Sequence, residues 1–131
     1  MVILLVDDDV GVQLFVWKLL KAYGFTVLNA DSGEAALEAS RRYIGSIDLL
    51  LTDVRLPRMD GLELCKTVAA ERPQIRVLLM SGESRNEERV LAHGLRFIEK
   101  PFTLRALRNS LEMLLGRIPS PIDDDFVREI A

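Results

Sequence analysis

Cysteine and histidine are almost missing from this chain of 131 residues: Cys65 and His93 stand alone. One cysteine makes neither a disulfide framework nor a cysteine metal cluster. His93 has no helical kinase motif around it and reads as a helix-end residue. A basic excess is missing as well. The net charge is −3, whereas nucleic acid selects basic stripes, so no direct nucleic-acid contact is expected. Long apolar runs are also missing. The stretch Val2–Val6 has only five residues and no basic segment ahead of it, which fits neither a signal peptide nor a membrane span. The chain therefore reads as a cytoplasmic protein, or a cytoplasmic piece of a larger one, with no membrane contact.

What is present suits one ordinary globular domain. Apolar residues make up 49% of the chain and charged ones 28%, enough for a single buried core. Short apolar runs at 2–6, 25–30, 48–52, 76–80 and 95–99 alternate with helix-like segments near 9–22, 33–43, 61–71, 85–92 and 103–115. Gly24, Gly45, Gly82, Gly94 and Pro73 punctuate the joins. Ser32 and Asp60 are N-cap residue types placed just before helices. Five alternating units predict an α/β domain with a parallel sheet. Leu49–Leu51 and Val77–Met80 are unbroken apolar runs, as strands buried on both faces should be. The pattern breaks near 117. Pro119 and Pro121 call for extended chain, and Asp123–Asp125 ahead of Phe126, Val127 and Ile130 suit a short amphipathic helix.

In an open parallel sheet, ligands bind outside the carboxyl ends of the strands. Asp7 and Asp8 follow the first strand candidate, Asp53 the third, Ser81 the fourth and Lys100-Pro101 the fifth. All should meet at one rim. Three carboxylates in one cleft repel, and without a cation at least one would have its pKa raised. Magnesium resolves the conflict: it takes oxygen ligands at about 2.1 Å and accepts carboxylates together with water and phosphate oxygen. Asp is also a nucleophile toward phosphorus, Lys100 can neutralise a transferred phosphoryl group, and the Ser81 hydroxyl can donate to it. Each residue also has an ordinary explanation. Asp7-Asp8 could cap a helix, Asp53 could cap a loop, Lys100 could be solvated, and Ser81-Gly82 is a common turn pair. Their joint placement after successive strands of one sheet favours the magnesium-assisted phosphoryl acceptor.

These blocks resemble the receiver domain of two-component response regulators, of the chemotaxis-regulator type. Val2–Asp9 is similar to that family's first strand and acidic pair. Leu50-Thr52-Asp53 through Leu56-Pro57 and Met59-Asp60-Gly61 resemble its phosphoacceptor block. Leu79–Gly82 is similar to its hydroxyl block and Lys100-Pro101-Phe102 to its lysine block. The resemblance covers about residues 1–115. It implies a flavodoxin-like doubly wound sheet in the order 2-1-3-4-5, with a receiver domain over 1–116 and a tail over 117–131. It implies Asp53 as phosphoacceptor, Asp7, Asp8, Asp53 and the Arg55 carbonyl as Mg2+ ligands, and Ser81 and Lys100 as phosphoryl contacts. It further implies a cis Lys100-Pro101 bond and a switch made of Ser81 and Phe97, although Phe97 could equally be a plain core aromatic. The partner implied is a sensor histidine kinase or a histidine phosphotransfer domain. The family does not act as an enzyme on other molecules, but catalyses its own phosphotransfer and slow autodephosphorylation. One departure is clear: Ser81 to Lys100 is about three residues shorter than usual, which trims the fourth helix and puts the usual dimerisation mode in doubt.

Two other functions remain to be separated from a switch. A phosphatase resembling haloacid-dehalogenase hydrolases would want Asp-x-Asp after its first strand, whereas the nucleophile candidate here follows the third. A phosphate-independent interaction module would not need the four-part site. The first helix poses its own question. Val12, Phe15, Val16, Leu19, Leu20 and Tyr23 form a core stripe, yet Val10, Leu14 and Trp17 recur on another face. Leu14 and Trp17, rimmed by Lys18 and Lys21, are candidates for docking the kinase. A cover formed by the tail helix and a weak homodimer contact are the competing explanations. Arg55 and Glu83 are expected to pair across the mouth of the site.

Overall fold

A computed structural model describes residues 1–118. The five strands are β1 (Val2–Val6), β2 (Thr26–Ala30), β3 (Leu49–Asp53), β4 (Arg76–Ser81) and β5 (Arg96–Glu99). They alternate with α1 (Val10–Ala22), α2 (Gly33–Arg42), α3 (Gly61–Glu71), α4 (Ser84–Ala92) and α5 (Leu104–Leu115). All strand pairs are parallel, in the order β2-β1-β3-β4-β5, so the expected topology holds. The amphipathic helix expected in the tail lies outside the described residues.

Side chains alternate across each strand, and that alternation divides the core into two layers. Ile3, Leu5, Leu49, Leu51, Leu78, Met80 and Ile98 face α1 and α5. Leu4, Val6, Leu50 and Leu79 face α2, α3 and Val90 of α4. Both layers are needed because the three central strands have no solvent face, which is why their sequences are almost wholly apolar.

The helices start where the sequence places cap residues. Ser32 accepts from Ala35 N–H, Asp60 from Leu62 N–H and Thr103 from Ala106 N–H. At α1 the cap is Asp9, which accepts from Val12 N–H, so Asp7 and Asp8 are left for other work. The expected stripe of α1 needs correction at Phe15, which is 36% exposed. It lies on the flank of the buried line formed by Val16, Leu19, Leu20 and Tyr23. Trp17 is half-buried and packs against the α1–α5 layer. The exposed apolar residues at the start of α1 are therefore Val10, Leu14 and Phe15, not the expected pair of Leu14 and Trp17.

Candidate functional site

Parallel strands ending together bring Asp7, Asp53, Ser81 and Lys100 to the carboxyl rim of the sheet. Asp53 is the last residue of β3 and Ser81 the last of β4, while Asp7 and Lys100 directly follow β1 and β5. One carboxylate oxygen from each of Asp7, Asp8 and Asp53 can be chosen so that all three lie within 4.8 Å of one another. Asp7 is buried, Asp53 half-buried and Asp8 exposed, so the cluster runs from the sheet edge out to solvent. An all-oxygen anionic donor set with an open side suits a hard divalent cation that keeps part of its water.

Lys100 is the cation already at hand. Its Nζ donates to Asp7 Oδ2 at 3.0 Å and to Asp53 Oδ2 at 2.9 Å. Burial disfavours its charge, but the hydrogen bonds to the two carboxylates outweigh that, so its pKa is raised. The peptide bond to Pro101 is cis. Asp53 is also held above its usual pKa. Burial is the largest cause and the charge of Asp7 a smaller one, opposed by the Lys100 hydrogen bond and charge. Mutual repulsion of the carboxylates is therefore secondary to desolvation. Arg55 N–H reaches Asp53 Oδ1 at 3.4 Å.

Ser81 is buried, and its hydroxyl is engaged locally. It donates to Glu83 O at 3.0 Å and accepts from Glu83 N–H at 3.3 Å, while Lys100 N–H donates to Ser81 O at 2.7 Å. Phe97 lies on β5, half-buried against the layer that holds α2, α3 and α4.

The loop from Val54 to Asp60 rises beside Asp53 and is tightly seated. A Cβ on Gly61 would stand 2.1 Å from the Asp53 carbonyl oxygen, so only glycine lets α3 begin there. Arg58 adopts a φ of 63°, a region side chains seldom occupy. Above this loop the expected pair forms: the Arg55 guanidinium hydrogen-bonds Glu83 Oε1. That pairing, chiefly through its hydrogen bond, lowers the Glu83 pKa. A second pair was not legible in the sequence. Arg89 Nη2 donates to Asp60 Oδ2 at 2.9 Å, joining residues 29 positions apart with no local pattern to mark them. Gln13 was also missed: its side-chain amide donates to the Ala30 carbonyl at 2.7 Å and braces the chain beside Asp7.

This constellation on this topology defines a receiver, and the chain belongs to the response regulator receiver domain family, whose model matches residues 3–112. It is a phosphorylation-activated signalling switch. ZraR, a transcriptional regulatory protein of Escherichia coli (strain K12), is 37% identical over 121 residues, covering 90% of this chain and 27% of ZraR. CpdR, a response regulator receiver protein of Brucella abortus (strain 2308), is 33% identical over 116 residues, covering 86% of this chain and 95% of CpdR. A solved response regulator receiver domain protein from Clostridium thermocellum matches with a TM-score of 0.80 at 25% identity, over 88% of this chain and 94% of that one. The chain thus spans just over a quarter of the length of ZraR. No described helix is long and apolar enough to cross a membrane.

Proposed function

We propose that Asp53 is the phosphoacceptor and that a histidine-bound phosphoryl group is its source, delivered by a sensor kinase or a phosphotransfer domain. The observation that carries this reading is the convergence of Asp53, Asp7, Asp8 and Lys100 at one rim. Asp53 Oδ attacks phosphorus, the phosphorus–nitrogen bond to the donor imidazole breaks, and the bond electrons leave with the imidazole. Asp7, Asp8 and Asp53 would hold Mg2+ together with the Arg55 carbonyl, and a bound divalent ion there supplies positive charge to the phosphoryl oxygens. Lys100 leaves its bridge between Asp7 and Asp53 to pair with the new phosphoryl group. Ser81 must exchange its contact with Glu83 for one to the phosphoryl group, and Phe97 responds on the same side of the sheet. The cytoplasm, where such kinases phosphorylate their partners, is the compartment this implies.

The donor is proposed to dock on the start of α1. Val10, Leu14 and Phe15 are 76%, 50% and 36% exposed there, next to the acidic rim, and apolar anchors commonly dominate interface energy. Trp17, half-buried on the same helix, packs against the core layer of α1 and α5.

Labelling with acetyl phosphate and magnesium, in wild type and Asp53→Ala, tests the acceptor. A stoichiometric, magnesium-dependent label lost in the variant is expected. Continued turnover would favour a phosphatase, and an unlabelled wild type would favour an interaction module. For the dock, Leu14→Ala should take phosphate normally from acetyl phosphate but poorly from its kinase. Equal loss from both donors would sink it.

A further inference from the structure

Helix α4 is held to the domain by little apolar surface: of its nine residues only Asn86 and Val90 are buried, and one of these is polar. Its N-cap, Glu83, makes no side-chain capping bond and instead directs its carboxylate to Arg55. Among the described residues, the other ion pair that joins α4 to a different element is Arg89 to Asp60, with Arg89 Nη1 also reaching Asn86 Oδ1 at 3.3 Å. The two ends of the helix are held besides by Glu83 N–H donating to Ser81 Oγ and Leu95 N–H donating to Val90 O. Both ion pairs end on the loop that follows Asp53.

Asp60 has two tasks. Its Oδ1 caps α3 by accepting from Leu62 N–H at 2.7 Å, while Oδ2 takes Arg89. The start of α3 is itself fixed to the acceptor strand. Gly61 N–H donates to Val54 O at 2.7 Å, and there is no room for a Cβ between Gly61 and the Asp53 carbonyl. A displacement of the Asp53–Val54 backbone therefore carries Asp60 with it. Asp60 in turn pulls on a helix that has few other anchors.

We propose that the Asp60–Arg89 pair is a coupling link, carrying rearrangement of the phosphoacceptor loop to α4 by a route that bypasses Ser81 and Phe97. The inference rests on phosphorylation of Asp53. A phosphoryl group adds negative charge two residues from Arg55 and draws its guanidinium away from Glu83. Once Ser81 has also left Glu83 for the phosphoryl group, Asp60–Arg89 is the ion pair that remains to set where α4 sits. Arg89 and Asp60 are positioning residues and do not contact the phosphoryl group. Their side chains are 49% and 35% exposed, so the pair is accessible to exchange and able to re-form in a second arrangement.

The test is amide hydrogen exchange over residues 84–92 of the full chain, with magnesium, with and without beryllofluoride as the phosphoryl mimic. Wild type is compared with Arg89→Met, Asp60→Asn and the double variant. Asn keeps the α3 cap and Met keeps the apolar stem. The difference between the two states in α4 exchange is expected to shrink severalfold in each single variant and no further in the double, as for two ends of one interaction. Phe97→Ala should leave a measurable part of that difference. A purely structural pair would raise α4 exchange equally in both states and leave the difference intact, which would overturn the link. Additive loss in the double variant would overturn it as well. A wild type whose amides at 53–55 ignore beryllofluoride would overturn the acceptor assignment, and this inference with it.

Discussion

Arg72 at the foot of the sheet and Lys100 at its rim are both half-buried cations, but they meet opposite kinds of acceptor. Arg72 donates to Ser40 Oγ at 2.9 Å and to the carbonyls of Ser40, Tyr43 and Gly45 at 2.7, 2.8 and 2.9 Å. These are neutral oxygens at the end of α2, where carbonyls lack helical partners and a positive charge suits the dipole. Lys100 instead stands between two carboxylates. The foot is a finished structure whose partners have nothing better to do. The rim holds more negative charge than its one lysine can neutralise, and its remaining pairs, Arg55–Glu83 and Arg89–Asp60, are substantially exposed. Stability is thus concentrated away from the chemistry, and the rim is free to exchange partners when charge arrives.

The largest effect should come from breaking the foot. Arg72→Ala removes the partner of the buried Ser40 and of the Tyr43 and Gly45 carbonyls at the α2 end and should cost about 1–3 kcal/mol, the penalty range for a buried acceptor left unsatisfied. Urea denaturation measures it. Labelling of the folded variant by acetyl phosphate should match wild type. A parallel loss of labelling would show that foot and rim are not separable.

Much of the fold was readable because its signals are local. A switch from runs of apolar residues to helical spacing marks each unit, and the rule placing ligands at carboxyl ends of strands then gathers Asp7, Asp53, Ser81 and Lys100. The start of α1 was read less well. Periodicity identifies the centre of a buried stripe, but its width depends on how far the helix overhangs the sheet. Phe15 therefore proved exposed and Trp17 half-buried. Arg72 and Arg89 were not legible at all. Their partners lie 27 to 32 residues away, and nothing in the surrounding sequence distinguishes either from a solvated arginine.

A smaller effect is expected from breaking the outer ring of the rim. Arg55→Ala removes the partner of Glu83 at the mouth of the site but leaves the Arg55 backbone carbonyl in place. The exposed pair contributes at most about 1 kcal/mol to stability, so the urea midpoint should hardly move. On the proposed acceptor role of Asp53, the decay of its phosphorylated form should nevertheless change severalfold, because the variant opens the mouth of the site to water, while magnesium affinity stays close to wild type. Identical decay of the two proteins would show that the outer pair has no part in the lifetime.

The smallest effect sharpens the contrast inside the site. Burial holds the Asp53 carboxyl above its usual pKa despite the hydrogen bond and charge of Lys100. The folded chain therefore binds this proton more tightly than the unfolded chain. Ionised Asp53 lowers stability once the pH is above its folded pKa, and that penalty disappears as the pH falls below about 4, the ordinary range of an aspartate. Asp53→Asn removes the penalty while Lys100 keeps Asp7 as its partner. Without metal at pH 7 the variant should melt a few degrees higher than wild type, and the gain should fade toward acid. Magnesium should reverse the order. A ligand bound only by the folded state adds about 2.7 kcal/mol at a hundredfold excess over its dissociation constant, and the variant, with one carboxylate fewer, should receive less of this. Melting curves with and without magnesium, at neutral and acid pH, decide the matter. An Asn variant that melts lower than wild type in metal-free solution at pH 7 would mean that the Lys100 bridge, not the burial of Asp53, dominates the rim.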